Sequence, residues 1–371
     1  MFSSAFLVVR HAKARWTKKE FYKDITQRLK HKTGRHGRRA ADGPRQDGQK
    51  SMPDTLSFDL FVEQPFQTTV RRPVAMDGIG LHSGRYVRMS ICPAPANHGI
   101  KFRRTDVVDR RQTINAHADF AEQSRLCTRI VNDDGVGLET IEHLMAGFAG
   151  IGLDNTLVEI DAAEVPILDG SSQPVIDALC DAGLELLPAK RKHLTLLKPV
   201  ELALDGGSWA RLAPSDSLKI DIRIEFDDPA IGTQTFTYSH KDSSFASELA
   251  CARTFCQMRD VALMQNSGRA MGGSLGNALV VDNGTILNEG GLRIDAEFAR
   301  HKVLDCLGDL LLFGMPIKAH LTAVKPGHAL STQLIQAVLA DPSAFAIIEA
   351  GATKSRSDSF ALPELAAAAM A

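Results

Sequence analysis

Leu218-Lys219-Ile220-Asp221-Ile222-Arg223-Ile224-Glu225-Phe226 alternates apolar and charged residues without a break. Successive strand side chains point to opposite faces, so this run has one apolar face and one wet face. It predicts a half-buried strand over 218–226. Val87, Met89 and Ile91 show the same period, and Pro93 and Pro95 close that run. Short strands are expected at 157–160 and 278–282. Between them the period changes. Ile141, Leu144, Met145 and Phe148 fall at i, i+3, i+4 and i+7, which predicts an amphipathic helix over 139–150, stopped by Gly150 and Gly152. Ser171 or Ser172 should cap a second helix, with Pro174 in its first turn, Val175, Ile176, Leu179 and Cys180 inward, and Gly183 past its end. Residues 190–192 read as a linker. A helix is expected over 243–255. A long one capped by Asp295 should run to Phe313 and stop at Gly314 and Pro316. A last helix follows Ser331 and ends at Pro342. Strands and helices recur in each half without regular βαβ alternation, which indicates an α+β fold rather than a doubly wound sheet.

The chain has 371 residues, enough for one large or two ordinary domains. It has no apolar run of the roughly 18 residues that a membrane helix needs. The six cysteines form no CxxC pair, so a zinc ribbon and a thioredoxin-type site are excluded, and free thiols in a reducing cytoplasm are expected. Only 6% of residues are aromatic, too few for a base-stacking nucleic-acid binder. A net charge of -1 hides a basic leader and an acidic body: residues 1–51 carry +10, and the remainder carries -11. The leader reads as a solvated extension, with Met52 an alternative start. A transit peptide, or a segment that binds RNA or an anionic surface, has the same composition.

Three constellations carry chemistry. The long helix bears His301, Asp305 and Asp309 four residues apart, hence on one face, with Lys302 beside them. A His and an Asp one turn apart suit a divalent metal such as zinc. Glu142-His143 places a second imidazole beside a carboxylate able to take a proton from water. His328, expected on a turn before the last helix, suits an acid or base role, with Asp309 as its orienting carboxylate. Lys302 or the Thr254 hydroxyl could stabilise an oxyanion. On spacing alone each group also suits an ordinary solvated polar face. Gly272-Gly273-Ser274-Leu275-Gly276 lacks the spacing of a phosphate loop, and 164–172 reads as a strand end and turn.

The chain resembles the UDP-3-O-acyl-N-acetylglucosamine deacetylases from about Gln67 to Leu339. The resemblance lies in Gly78-Ile79-Gly80-Leu81-His82-Ser83-Gly84, Leu126-Cys127-Thr128, Thr140-Ile141-Glu142-His143-Leu144 and Ala252-Arg253-Thr254-Phe255. It continues in Leu287-Asn288-Glu289, His301-Lys302-Val303-Leu304-Asp305 and Gly327-His328-Ala329-Leu330. It implies two similar α+β domains, each a β-sheet packed on helices, with the helical layers facing each other and zinc in the interdomain cleft. The domains would be 67–190 and 191–350, after a basic extension at 1–66 and before a loose tail at 351–371. It implies one Zn²⁺ per chain on His143, His301 and Asp305; Fe²⁺ also suits these ligands. Glu142 would be the general base, His328 the acid held by Asp309, and Thr254 the oxyanion donor. Lys302, Phe255, Asp260, Leu81 and Cys127 would bind substrate. An insert near 258–280 would pass the fatty acyl chain, using residues such as Met258, Val261, Leu263, Met264, Met271 and Leu275. Cys256-Gln257 departs from the glycine and aromatic residue common in relatives.

The expected function is therefore zinc-dependent hydrolysis of the N-acetyl group of UDP-3-O-acyl-N-acetylglucosamine to the free amine and acetate, the committed step of lipid A biosynthesis. The partner would be a UDP-sugar with a fatty acyl chain. No nucleic acid or transmembrane segment is expected, the chain should be a monomer, and its place is the cytoplasm. The alternatives are a zinc amidohydrolase of the same scaffold acting on another acylated amine, and an RNA- or membrane-binding protein driven by its leader.

Overall fold

Ile317–Val324 alternates buried and half-buried side chains over eight residues, and the larger sheet is built on it. Ser208–Pro214 pairs antiparallel along one edge, with Val200–Leu204 beyond it. The other edge is shared: Lys192–Leu196 runs parallel to the first residues of the strand, and Lys219–Glu225 runs parallel to the rest. Thr233–Ser239 and Phe345–Glu349 complete the seven strands. Lys219–Glu225 is the alternating run, with Ile220, Ile222 and Ile224 buried as their period requires. The computed structural model describes residues 64–351. The basic leader up to residue 63, the alternative start at Met52 and the expected tail from 352 lie outside the described residues.

The first sheet has five strands, in the order Val74–Ile79, Tyr86–Pro93, Thr156–Ile160, Ile100–Arg104 and Thr113–Asn115. Only Ile100–Arg104 and Thr156–Ile160 pair in parallel. Phe66–Val70 pairs separately with Leu184–Lys190. Two three-stranded sheets are smaller. One holds Ala121–Glu122, Arg129–Val131 and Gly137–Glu139; the other holds Phe255–Gln257, Leu279–Asp282 and Thr285–Ile286.

Among the described residues, six helices lie among these sheets: α1 (Glu142–Ile151), α2 (Gln173–Ala182), α3 (Phe245–Glu248), α4 (Met258–Asn266), α5 (Glu297–Leu310) and α6 (His328–Leu339). α2 lies on the first sheet at Val74–Ile79 and touches α1. α5 lies on Lys219–Glu225 and Thr233–Ser239, while α6 covers Val200–Leu204 and Ser208–Pro214. α1 and α5 make the most extensive helix contact. Both are buried on almost every side, as central helices must be. The arrangement is the expected α+β layout, with helices between sheets.

α1 and α5 meet through a glycine. A Cβ on Gly308 would lie 2.1 Å from the Glu142 carbonyl oxygen. Backbone cannot yield to it, so the helices would have to part. Gly308→Ala should cost about 1–3 kcal/mol and displace the first turn of α1. Denaturant unfolding measures the first effect; a parallel loss of activity reports the second.

Several local expectations are corrected. The helix expected over 243–255 shrinks to the single turn α3. The backbone beyond it is used elsewhere: Ser172 N–H donates to Ala250 O, Thr254 N–H to Gly170 O, and Leu279 N–H to Thr254 O. Residues 190–192 are no linker, because strands run into them from both sides. Arg191 is 1% exposed, with its guanidinium on Asp154 and the Gly152 carbonyl. Asp295 does not cap α5. Ala296 precedes that helix in the left-handed region at φ 53°. The Glu297 carboxylate instead accepts the Arg293 N–H at 2.6 Å. The Ser172 hydroxyl does not cap α2 but donates to His143 O at 2.7 Å. α1 starts at Glu142, because 137–139 pair as a strand. α6 starts at His328 rather than after Ser331, so His328 sits in a first helical turn, not on a free loop.

Candidate active site

The approach to α1 sets up the site. Thr140 is β-branched yet sits at φ 60°, a conformation that costs on the order of 1–3 kcal/mol. Its hydroxyl donates to Glu164 at 3.2 Å. The buried Glu164 carboxylate also accepts the N–H groups of His82 and Ser83 at 2.7 and 2.8 Å. This carboxylate ties the 80–84 loop to the entry of α1. Glu142 and His143 then leave the first turn of the helix in adjacent directions.

His143 reaches α5. Its Nε2 lies 3.4 Å from Asp305 Oδ1, and His301 Nε2 lies 3.3 Å from the same oxygen. The two imidazole rings meet edge-on with centroids 4.8 Å apart. All three residues are buried. His301 Nδ1–H donates to Ala252 O at 3.0 Å, which leaves Nε2 with a free lone pair. Burial, helped by His143 and Lys302 against Asp305, pushes the His301 pKa down to about 3. Asp305 is the opposite case: burial disfavours its charge, but His301 and Lys302 prevail and hold its carboxyl well below the usual range. Lys302 Nζ donates to Asp305 Oδ2 at 2.8 Å, while Oδ1 is buried without a hydrogen bond. An orphaned carboxylate oxygen facing two imidazole nitrogens within 4.8 Å is a donor set that a divalent metal satisfies.

A second cluster touches the first. His328 Nδ1 lies 3.3 and 3.2 Å from the two oxygens of Asp309. Its Nε2 lies 3.7 Å from Glu142 Oε1. Burial opposes the imidazolium, but the Asp309 and Glu142 carboxylates outweigh it and lift the His328 pKa to about 9. Burial pushes the Glu142 carboxyl upward, with His328 and His143 pulling it back. Thr128 joins these groups. Its N–H donates to Glu142 Oε2 at 3.0 Å, its hydroxyl donates to Asp309 Oδ1, and Thr128 Oγ1 itself lies 3.0 Å from His328 Nδ1. The spacing argument gave Thr128 no role, and it had no means to: nothing along the chain relates residue 128 to residues 309 and 328. Thr128→Val should lower kcat about 10- to 100-fold, the loss of one hydrogen bond to a charged group, while Thr128→Ser keeps most of it. Steady-state rates of the two variants check this.

The remaining expected residues divide into two groups. Phe255 lies near the His143–His301–Asp305 group, its ring 6.2 Å from that of His301 and 6.0 Å from Lys302 Nζ. Thr254 is pinned by both backbone groups, and its hydroxyl makes no hydrogen bond among the described residues. Leu81 and Cys127 face the 269–273 segment instead. Leu81 O accepts the Gly272 N–H at 2.9 Å, and Cys127 Sγ lies 3.4 Å from Arg269 Nη2. Burial raises the Cys127 thiol to about 11, so it stays neutral. Asp260 is exposed on α4 and has no ion pair or hydrogen bond among the described residues.

The family model described as LpxC, UDP-3-O-acyl N-acetylglycosamine deacetylase, matches residues 67–340. The UDP-3-O-acyl-N-acetylglucosamine deacetylase of Idiomarina loihiensis is 43% identical over 284 residues, 76% of this chain and 92% of that relative. The enzyme of the same name from Photobacterium profundum is 44% identical over 281 residues, covering 75% and 92%. That from Shewanella halifaxensis is 41% identical over 300 residues, covering 80% and 97%. The chain thus belongs to the UDP-3-O-acyl-N-acetylglucosamine deacetylase family and is a deacetylase of lipid A biosynthesis.

Proposed function

We propose that His143, His301 and Asp305 hold one Zn²⁺, and that Glu142, His328, Asp309 and Thr254 carry out hydrolysis of the substrate's N-acetyl group. The observation that carries this reading is the orphaned Asp305 Oδ1 facing the His143 and His301 imidazole nitrogens, together with the Glu142–His328 pair, whose Oε1 and Nε2 lie 3.7 Å apart. The metal, when bound, would polarise the amide carbonyl and make water a better nucleophile at neutral pH. Glu142 takes the proton from the attacking water. Its raised pKa brings it nearer the working pH, where general bases are most effective. His328, charged below about pH 9, stabilises the oxygen that gains charge and gives its proton to the departing nitrogen. Asp309 holds that imidazolium. The uncommitted Thr254 hydroxyl donates to the same oxygen. Water and amide thus yield amine and acetate.

Lys302 and Phe255 bind the sugar nucleotide beside the metal ligands. A cavity of about 550 Å³ opens beside His328, lined also by Ser124, Arg125 and Gln333, and supports an approach for an anionic substrate from that side. Leu81, Cys127 and the 258–280 insert line the acyl chain's route, with Leu263 and Met271 exposed as such a surface requires. Asp260 belongs to that outer region. The domain boundary falls at residue 190, between the two strands that flank Arg191. No helix among the described residues is long and apolar enough to cross a membrane. The six cysteines are all free, which supports a reducing, cytoplasmic setting.

Acetate release by the full chain tests this. Metal-stripped protein should be inactive and regain its rate near one equivalent of Zn²⁺. A better rate with Fe²⁺ would revise the ion, and activity without any divalent metal would sink the ligand assignment.

A further inference from the structure

α1 and α5 carry the reactive residues, yet their last turns enclose a different space. A cavity of about 270 Å³ lies there, floored by Phe148 of α1 and by Leu307, Leu310 and Leu311 around the end of α5. None of the residues assigned above to metal, substrate or proton transfer lines it. Its walls are mixed, with Leu218, Met315 and Ile317 among polar side chains. Lys318 and His193 come from the larger sheet, His240 from the turn after Thr233–Ser239, and Arg191 from the junction between the two strands.

Among the described residues, the charges there are unbalanced. Arg191, Lys241 and Lys318 face two carboxylates, Asp154 and Asp216. Asp154 is already taken by Arg191 at 2.7 Å, and Asp216 is exposed at the rim. Lys318 is half-buried and has no ion pair or hydrogen bond among the described residues. His193 likewise has no hydrogen bond among them, so a ring N–H is available. Burial, with Lys318 and Arg191, keeps His193 neutral, its pKa pushed down to about 4. A half-buried ammonium without a partner, over an apolar floor, is complementary to an anion with an apolar body. The volume is slightly below the usual range for drug-sized ligands, so the ligand must be compact.

We propose that this cavity is a second ligand site, separate from the deacetylase centre, that binds a compact organic carboxylate with its apolar body against Phe148, Leu307 and Leu310 and its carboxylate on Lys318 and His193. The assignment does not depend on the catalytic roles proposed above.

The test uses the full-length, metal-loaded chain and 2-naphthoate as a fluorescent probe, with 2-acetylnaphthalene as a neutral analogue of similar shape. Saturable one-site binding of the carboxylate is expected, with weaker binding of the neutral analogue. Lys318→Glu should weaken naphthoate binding at least about tenfold, through charge reversal beside the ligand. Ala149→Leu, which narrows the cavity without changing charge, should weaken it similarly. Retained acetate release by both variants shows that they fold. Three results would overturn the proposal: no saturable binding, equal binding of the neutral analogue, or naphthoate binding that neither variant alters. The last, with displacement by the nucleotide-sugar substrate, would place the probe in the catalytic cleft.

Discussion

Glu142→Gln should lower the rate of acetate release by about 10²- to 10⁴-fold, the contribution typical of a positioned general base. Glutamine keeps the shape of the side chain and can still accept the Thr128 N–H. It cannot accept a proton from water. The proposed metal ligands His143, His301 and Asp305 are untouched, so metal content should stay at one equivalent. Measuring rate and bound metal together separates lost chemistry from a lost site. A variant that is fully metallated and fully active would end the assignment of Glu142. The wild-type pH profile adds an independent check. His328 must be charged, so the rate should fall as pH rises through about 9. Glu142 must be ionised, so the rate should also fall on the acid side. That limb should lie above the ordinary glutamate range, because burial raises this carboxyl. Thr128→Val, which takes a partner from the Asp309–His328 pair, should move the alkaline limb to lower pH.

Arg253→Met should destabilise the fold by about 3–5 kcal/mol, the cost of stripping one partner from a buried ion pair. Arg253 is 7% exposed and Glu297 is fully buried. Arg253 Nε donates to Glu297 Oε1 at 2.7 Å, and Nη2 reaches Glu297 Oε2 at 3.1 Å and Gly291 O at 2.8 Å. Methionine fills part of the volume but leaves the carboxylate without its cation. The effect should also reach the proposed metal ligands. Ala252, the residue before Arg253, supplies the carbonyl that orients His301. Losing such an outer contact typically weakens metal binding about 10- to 100-fold. Urea unfolding and a competitive chelator titration measure the two losses. A stable variant with weakened metal binding would show that the pair orients His301 more than it holds the fold. Unchanged values in both would show that the pair is dispensable.

The periodic parts of this molecule were legible without coordinates. Lys219–Glu225, Tyr86–Pro93, α1, α2 and α5 follow from side-chain spacing, because the period of burial is a property of the local backbone. His301, Asp305 and Asp309 could be placed on one face for the same reason. Failures came where long-range bonds outweigh local preference. A helix over 243–255 suits the residues there, yet Gly170, Ser172 and Leu279 claim its backbone groups. Lys190, Arg191 and Lys192 look like a solvated linker by charge, yet Arg191 is sealed against Asp154. Asp295 looks like a cap, yet Ala296 enters α5 in the left-handed region and no side chain caps that end.

By itself the sequence determined the α+β class, the helices that carry the chemistry and the residue types able to hold a metal. Through the family resemblance its motifs also named His143, His301 and Asp305 as one set. Only the tertiary structure decided the distances at which α1 brings His143 to Asp305 on α5, and that Thr128 links Glu142, Asp309 and His328. It also decided that an unbalanced cavity lies between the far turns of the same two helices. The physical reason is range. Periodicity and capping act over a few residues, whereas a buried charge selects its partner by proximity in space, at any distance along the chain.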